Sequence, residues 1–453
     1  MSEPKITVYI PTRNNAAYLS EAVDSVLRQT ADQWELLIVD DGSEDNTADV
    51  LRLYQGDDRI RTFRTEGIGL PGVCNLALSH CRGRYLIRLD GDDIFDENIL
   101  VVLGNYLDRR PDVALVFPDY FLVDESGEVL SLERRPRLYC EDHVLDTPPN
   151  GACALIRVDV LKGLNGYRED LGAQDGFDLW TRVSRRHECA NVNLPLFYYR
   201  RHSANITNNS ERILMARRAI KRDAAASLLA DYRPLQVVIP CRRNYDFRED
   251  LWKASVNGKT LLEDKIETCL ASPLFDRVVV ACDNLEARDL VAGYGDPRLS
   301  FFQRDRADTI RSVNIAQLLG KVAAEADPEF KGATMLNLIP TPFVTLATME
   351  EAVHTMVMNQ ADSAMGVDEL AFPVYRRTPD GLQAIGPRGE FRSELNRLYY
   401  ETRTSLATRN ANLSRGSLTG SRIVYFQLHA DEHFFINSER SLKIARLIRE
   451  DRA

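Results

Sequence analysis

Tyr85-Leu86-Ile87-Arg88-Leu89-Asp90-Gly91-Asp92-Asp93 reads as a short buried strand that stops abruptly at three carboxylates and a glycine. A strand ending in clustered acids is unfavourable by itself, because like charges raise one another's pKa and repel. A divalent cation removes that penalty, and carboxylate oxygens suit Mg²⁺ or Mn²⁺. Gly91 is expected to let the backbone turn sharply, so that Asp90 and Asp92 face one point. A lone D-x-D is more often a solvated turn, so the flanking chain has to decide.

Upstream, Ile6 to Ile10 is a β-rich run closed by Pro11 and the turn cluster Thr12-Arg13-Asn14-Asn15. Apolar residues at helical spacing predict a helix from Tyr18 to Gln29. Trp34 to Val39 is a second buried strand, ending in Asp40-Asp41-Gly42-Ser43. A helix from Thr47 to about Tyr54, a strand from Ile60 to Phe63 and a helix carrying Cys74 to Ala77 complete the approach to Tyr85. Strands alternating with helices imply right-handed crossovers and a mostly parallel sheet. Ligands bind at the carboxyl ends of such strands. Three of these ends are polar here, and together they describe a site. No G-x-G-x-x-G or Walker-type loop is present, so a metal rather than a glycine cradle is expected to neutralise phosphates.

At 453 residues the chain exceeds one ordinary core, and two domains of about 200 residues are expected. A net charge of −10 argues against a nucleic-acid partner, whose phosphates call for a basic face. The N-terminus has no apolar targeting stretch, and no run reaches the ~18 apolar residues of a membrane span. Eight cysteines without C-x-x-C pairs suit reduced thiols. A cytoplasmic protein is expected, working in solution or at the inner face of a membrane.

Downstream, Val113 to Phe117 is a strand, with a hairpin turn at Glu125-Ser126-Gly127, and Asn150 to Cys153 lead into another strand ending near Arg157. Gln174-Asp175-Gly176-Phe177-Asp178-Leu179-Trp180 opens an amphipathic helix with an acid at its start, which on residue type alone fits a helix cap.

The stretch from about Ile6 to Thr207 resembles the family 2 glycosyltransferases, nucleotide-sugar enzymes of the GT-A fold. The matching pieces are VYIPTRNN (Val8 to Asn15), LLIVDDGSEDNT (Leu36 to Thr47), RYLIRLDGDD (Arg84 to Asp93), QDGFDLW (Gln174 to Trp180) and YYRRHSANIT (Tyr198 to Thr207). The resemblance implies a nucleotide-sugar donor contacted by Thr12, Arg13, Asp41 and Asp90, and a divalent metal under the diphosphate held by Asp90 and Asp92. It implies Asp175 as catalytic base, with Arg200 and His202 closing over the phosphates. Family members often carry Glu-Asp before that helix, and Gln174 takes the first position here. Inverting transfer needs a carboxylate to take the acceptor hydroxyl's proton while a metal stabilises the departing diphosphate.

Asn208 to Arg233 reads as one basic amphipathic helix, either an interdomain connector or a segment lying on an anionic membrane. From Leu235 a second α/β pattern begins. VVIPCRR (Val237 to Arg243), NGKTLLEDKIETCLAS (Asn257 to Ser272), FDRVVVACDN (Phe275 to Asn284), LNLIPTPF (Leu336 to Phe343), ADSAMGV (Ala361 to Val367) and the run Ser421 to Leu447 together resemble the cytidylyltransferases that activate acidic sugars. That family's glycine-rich phosphate loop is replaced by Arg243 to Asp250, and its Asp-Ile-Asp metal pair by Phe435-Ile436-Asn437. A phenylalanine cannot coordinate magnesium. Nucleotidyl transfer is therefore expected to be lost, while Arg242, Lys259 and Asp283 fit a sugar or nucleotide pocket as well as core and surface roles.

The expected architecture is α/β, with two Rossmann-like doubly wound domains: a GT-A glycosyltransferase (1–207), a helical linker (208–233) and a cytidylyltransferase-like domain (234–453). The expected activity is sugar transfer to a glycan or lipid-linked acceptor in surface-glycan synthesis. Two alternatives stand beside it. One is a bifunctional enzyme that makes a CMP-sugar and then transfers it, and the other is a second half serving as a homodimerisation or binding module.

Overall fold

The computed structural model describes residues 3–134, 151–202, 210–256, 258–305, 314–370, 374–379, 381–385, 398–428 and 431–451. Asn150, Ser203 to Asn208, Asn257, His429 and Ala430, on which parts of the sequence reading fall, lie outside them. The chain divides into two compact units, Met1–Ile220 with Pro373–Arg397, and Lys221–Phe372 with Leu398–Ala453.

The first unit runs β1 (Ile6–Thr12), α1 (Ala16–Leu27), β2 (Trp34–Asp40), α2 (Thr47–Arg52), β3 (Ile60–Arg64), α3 (Gly69–His80) and β4 (Tyr85–Arg88). It continues through β5 (Ile94–Phe95), α4 (Ile99–Arg109), β6 (Val113–Val123), β7 (Val129–Glu133), β8 (Leu155–Arg157), α5 (Val158–Gly163), α6 (Asp175–Ser184), β9 (Glu188–Arg200) and the start of α7 (Ser210–Ala225). Sheet order is β3-β2-β1-β4-β8-β6-β9-β5, with β7 added on β6. β1 pairs in parallel with β2 and with β4, and β2 with β3. The chain thus steps outward from β1 to β3 and then crosses to the other side of β1. That reversal opens a crevice between the carboxyl ends of β1 and β4. Every residue of β1, β2 and β4 is buried, as parallel strands covered on both faces must be. Leu19, Val23 and Val26 of α1 and Leu100, Leu103 and Leu107 of α4 share one core cluster with Val8, Ile10 and Ile38.

Two local expectations are corrected. β1 runs through Pro11 to Thr12 instead of stopping at Ile10, because Pro11 lies beyond the last β1–β4 pair, Tyr9 with Arg88, and its missing N–H breaks no bond there. The single helix expected from Asn208 to Arg233 is α7 followed by a 3₁₀ turn at Leu229–Tyr232. The division between the units falls inside α7, whose Ala216, Ile220, Ala224 and Ala225 are buried.

The second unit begins β10 (Leu235–Pro240), β11 (Asn244–Tyr245), β12 (Arg248–Glu249), β13 (Ser255–Val256), β14 (Lys259–Thr260), α8 (Leu261–Leu270), β15 (Arg277–Cys282), α9 (Leu285–Ala292) and β16 (Leu299–Gln303). α10 (Ile315–Ala326), β17 (Ala333–Leu336), α11 (Leu346–Met358), β18 (Ser363–Glu369), β21 (Tyr399–Arg409), α12 (Asn410–Leu413), β22 (Ile423–Gln427) and α13 (Glu439–Glu450) complete it. The hairpin β19 (Val374–Thr378) and β20 (Gly381–Ile385), which lies between β18 and β21 in the chain, belongs to the first unit. The main sheet of the second unit is ordered β16-β15-β10-β17-β21-β18-β22. β16, β15, β10 and β17 are parallel, and β21 runs against both β17 and β18. Among the described residues no helix is long and apolar enough to cross a membrane, and the described cysteines are free.

Candidate active site

The polar ends of the first sheet meet at the β1–β4 crevice. Asp41 donates its N–H to the Thr12 carbonyl at 2.9 Å, and Leu89 donates to Tyr9 O at 3.0 Å, which brings the three strand ends into line. Gly91 stands against Thr12: a Cβ there would lie 3.1 Å from Thr12 Oγ1. The chain does turn sharply here, with Asp93 N donating to Asp90 O at 3.1 Å, but Gly91 is not left-handed, so what the position demands of glycine is space. Thr12 is 3% exposed, and among the described residues its hydroxyl has no hydrogen-bond partner.

Asp41 is buried and accepts from Thr65 Oγ1 (2.6 Å), Ile68 N (2.7 Å) and Gly69 N (2.9 Å). An ionised carboxylate offers about four lone-pair directions, so this pattern leaves one for a ligand N–H. Its neighbour Asp40 is taken up by Ser43 N and Arg64. Arg13 is exposed, and its guanidinium lies over Gly67.

The centre of the site is a residue the motif reading passed over. Arg88, the last residue of β4, has a side chain only 8% exposed. Its Nη1 donates to Asp175 Oδ2 at 2.5 Å. Its Nε lies 3.0 Å from Asp90 Oδ1 with the N–H pointing off that oxygen, and Nη2 donates to Asp90 Oδ2 at 3.4 Å. Burial works against the arginine's charge, but Asp175 and Asp90 outweigh it and hold the group protonated. Gly151 and Gly176 leave room for this pairing, since a Cβ on Gly151 would stand 3.1 Å from Arg88 Nη2. Beneath lie Tyr9, whose hydroxyl meets that of Tyr167 at 3.2 Å, and Cys74, whose thiol burial pushes up to about 12. An arginine inside an otherwise apolar buried run was the available signal, because buried charges are almost always paired.

Asp90 is pushed up to about 6 by burial, against the opposing pull of Arg88 and with the charges of Asp92 and Asp175 adding to the rise. Asp93 is 1% exposed and raised well above the carboxylate range by burial and by Asp92 and Asp90. Its Oδ1 accepts from Arg200 N at 2.9 Å, while among the described residues its Oδ2 has no partner. Asp92 Oδ2 lies 2.8 Å from His202 Nε2, and the His202 ring stacks on Tyr18 at 5.3 Å. Among the described residues no group of three or more acids, histidines or cysteines is arranged to enclose a metal by itself. Excess carboxylate charge with an unsatisfied buried oxygen still fits a cation that draws its remaining ligands from a substrate.

Arg200 departs from expectation. It is 1% exposed and faces the protein, donating to Asp92 O (2.9 Å) and Glu125 O (2.9 Å) and pairing with Glu21 at 2.5 Å. It ties the acidic turn to the 124–125 loop and does not face the crevice. Asp175 is not a helix cap: it is the first residue of α6, with Gln174 at the cap position.

Residues 7–164 match the model for Glycosyl transferase family 2. The N-terminal half carries a glycosyltransferase family 2 domain. An uncharacterized glycosyltransferase of Rickettsia felis is 30% identical over 200 residues, covering 40% of this chain and 32% of that protein. Chondroitin synthase of Escherichia coli is 25% identical over 185 residues, covering 40% of this chain and 26% of its own length. The chain thus spans about a third or less of these relatives. The crystal structure of S. aureus TarS 1-349 in complex with UDP-GlcNAc is 18% identical, with a TM-score of 0.42, covering 49% of this chain and 66% of that one. The family match ends at residue 164, before Asp175 and His202.

In the second unit, Asn244–Tyr245 and Arg248–Glu249 form a small antiparallel hairpin. Arg242 stacks over Tyr245 at 5.0 Å, Asp283 accepts from Arg243 N at 2.8 Å, and Lys259 is an exposed partner of Glu267. Phe435 is exposed.

Proposed function

We propose that the first unit transfers a sugar, with inversion, from a nucleoside-diphosphate sugar to a hydroxyl of a glycan or lipid-linked acceptor. The reading includes a role in surface-glycan synthesis at the inner face of a membrane and a second unit without nucleotidyl transfer. The observation that supports it is the Arg88 bridge, which places Asp175 and Asp90 on one guanidinium beside the crevice. Thr12, Arg13 and Asp41 receive the nucleotide, using the free hydroxyl and the remaining carboxylate lone pair. Asp175 accepts the proton of the attacking hydroxyl, with Arg88 fixing its orientation. Asp90 and Asp92 are the residues to hold Mg²⁺ or Mn²⁺, which when bound supplies a Lewis acid for charge on the leaving diphosphate. His202 steadies Asp92.

The test is nucleotide release from a panel of UDP-, GDP- and CDP-sugars with Mn²⁺, Mg²⁺ or EDTA, with the anomeric configuration of product read by NMR. Release with inversion of configuration is expected from at least one donor, and silence across the panel would overturn the proposal. Pyrophosphate formed from CTP and an acidic sugar would overturn the claim about the second unit.

A further inference from the structure

Asp175 follows a segment that is neither helix nor strand, in which Gly172 has φ +67° and Gln174 φ +61°. Glycine takes that backbone freely. Glutamine does not, because its Cβ crowds the following carbonyl, so contacts from elsewhere must hold it there. Those contacts come from α7. Arg217 Nε donates to Gln174 Oε1 at 2.9 Å, and its guanidinium carbon stands 5.7 Å from the Phe177 ring centre. Arg212 Nη2 donates to the Gly172 carbonyl and packs so closely that a Cβ on Gly172 would lie 3.2 Å from it. All of these residues belong to the first unit.

We infer that Arg217 is a positioning residue for the base: through Gln174 it fixes the backbone turn from which Asp175 starts α6, with Arg212 securing the turn two residues earlier. The first half of α7, which the sequence presents as part of a linker, is then a working part of the transferase. The inference rests on reading Asp175 as the base. Arg88 holds the carboxylate from the sheet side, and Arg217 holds the Gln174 side chain from the helix side while Arg212 holds the Gly172 carbonyl, so neither side alone sets the direction of proton transfer. A misplacement of about 1 Å is enough to cost ~10²-fold in rate.

Two single variants and their combination test it. Arg217→Met keeps the apolar packing on Phe177 and removes the donor, and Gln174→Ala removes the acceptor. Each is expected to lower kcat at least tenfold with donor KM within twofold and an unchanged melting temperature. The double variant should be no worse than either single, since both break one interaction. Additive losses, or falls in kcat that track falls in melting temperature, would reduce Arg217 to ordinary packing and overturn the inference. Amide hydrogen exchange gives a readout independent of turnover. Residues 172–177 should exchange faster in Arg217→Met while β1 to β4 keep their protection, and unchanged exchange there overturns the clamp. Faster exchange in a protein whose native form releases no nucleotide from any donor would support the clamp and count against Asp175 as base.

Discussion

Arg88 Nη1 lies 2.5 Å from Oδ2 of Asp175, a residue 87 positions away in the chain. The same guanidinium sits 3.0 Å from Asp90, so the carboxylate proposed to take a proton and one proposed to hold a metal share a single cation. Arg88→Met should leave both acids facing each other without compensation. Removing one partner of a buried pair typically costs ~3–5 kcal/mol, and with Asp90 27% exposed about 2–3 is the better expectation. Urea unfolding measures it. Arg88→Lys keeps the charge without the two-pronged fork, and should fold normally yet lose about tenfold or more in kcat. A fully active lysine variant would make the bridge a matter of charge alone.

Metal dependence is checked at Asp92. Asp92→Ala should bind Mn²⁺ with its donor nucleotide far more weakly in calorimetry, and lose ~10²-fold or more of transfer, with folding intact. Native protein stripped with EDTA should behave alike and recover on adding Mn²⁺. Full turnover by the stripped protein would remove the ion from the mechanism.

The parallel strands β1, β2 and β4 were legible in the sequence because burial on both faces leaves continuous apolar runs. The polar residues ending those runs marked the crevice for the same reason. β9 was not legible as a strand, because Pro195 and an alternating polar half dilute its pattern over thirteen residues. α4 carries a clear apolar face, but it follows directly on the acidic turn, whose charges dominate that stretch. Motif spacing put Arg200 and His202 together, and both reach Asp92, but His202 meets its carboxylate while the buried Arg200 takes its carbonyl and pairs with Glu21. What a motif cannot carry is the pairing of Arg88 with a residue on α6, or of Arg217 with Gln174. Both depend on how distant elements pack.

Acid sensitivity should appear in the second unit. His354 of α11 is 6% exposed, and its pKa is pushed down to about 4 by burial first and by the nearby charge of Arg222 next, against the opposing pull of Glu351 and Asp223. A histidine near 6.5 when unfolded and near 4 when folded binds its proton more readily unfolded. Stability is therefore unaffected by this group above about pH 6.5, falls as pH drops towards 4, and is reduced by roughly 3 kcal/mol below that. Thermal melts across pH 4–7 should show the slope, and His354→Gln should flatten it. An equal slope in that variant would assign the acid sensitivity to other groups.

Asp175→Asn is the substitution on which the catalytic assignment turns. Asparagine keeps the size of the side chain and removes its basicity. Since Gln174 holds the cap position of α6, loss of a cap cannot explain any effect. The change does remove one of the two anions on Arg88, so a modest drop in melting temperature is expected with Asp90 still paired. Donor binding, which the proposal gives to Thr12, Arg13 and Asp41, should be near normal. Transfer should fall ~10²–10⁴-fold, the usual worth of a general base. Arg88→Lys serves as the control, because it disturbs the same ion pair while leaving the carboxylate in place. If Asp175→Asn loses no more activity than Arg88→Lys, the carboxylate's role is to anchor Arg88. A loss at least tenfold greater assigns it the proton. Asp178 cannot easily take over, since it is 2% exposed and paired with Arg182 at 2.6 Å.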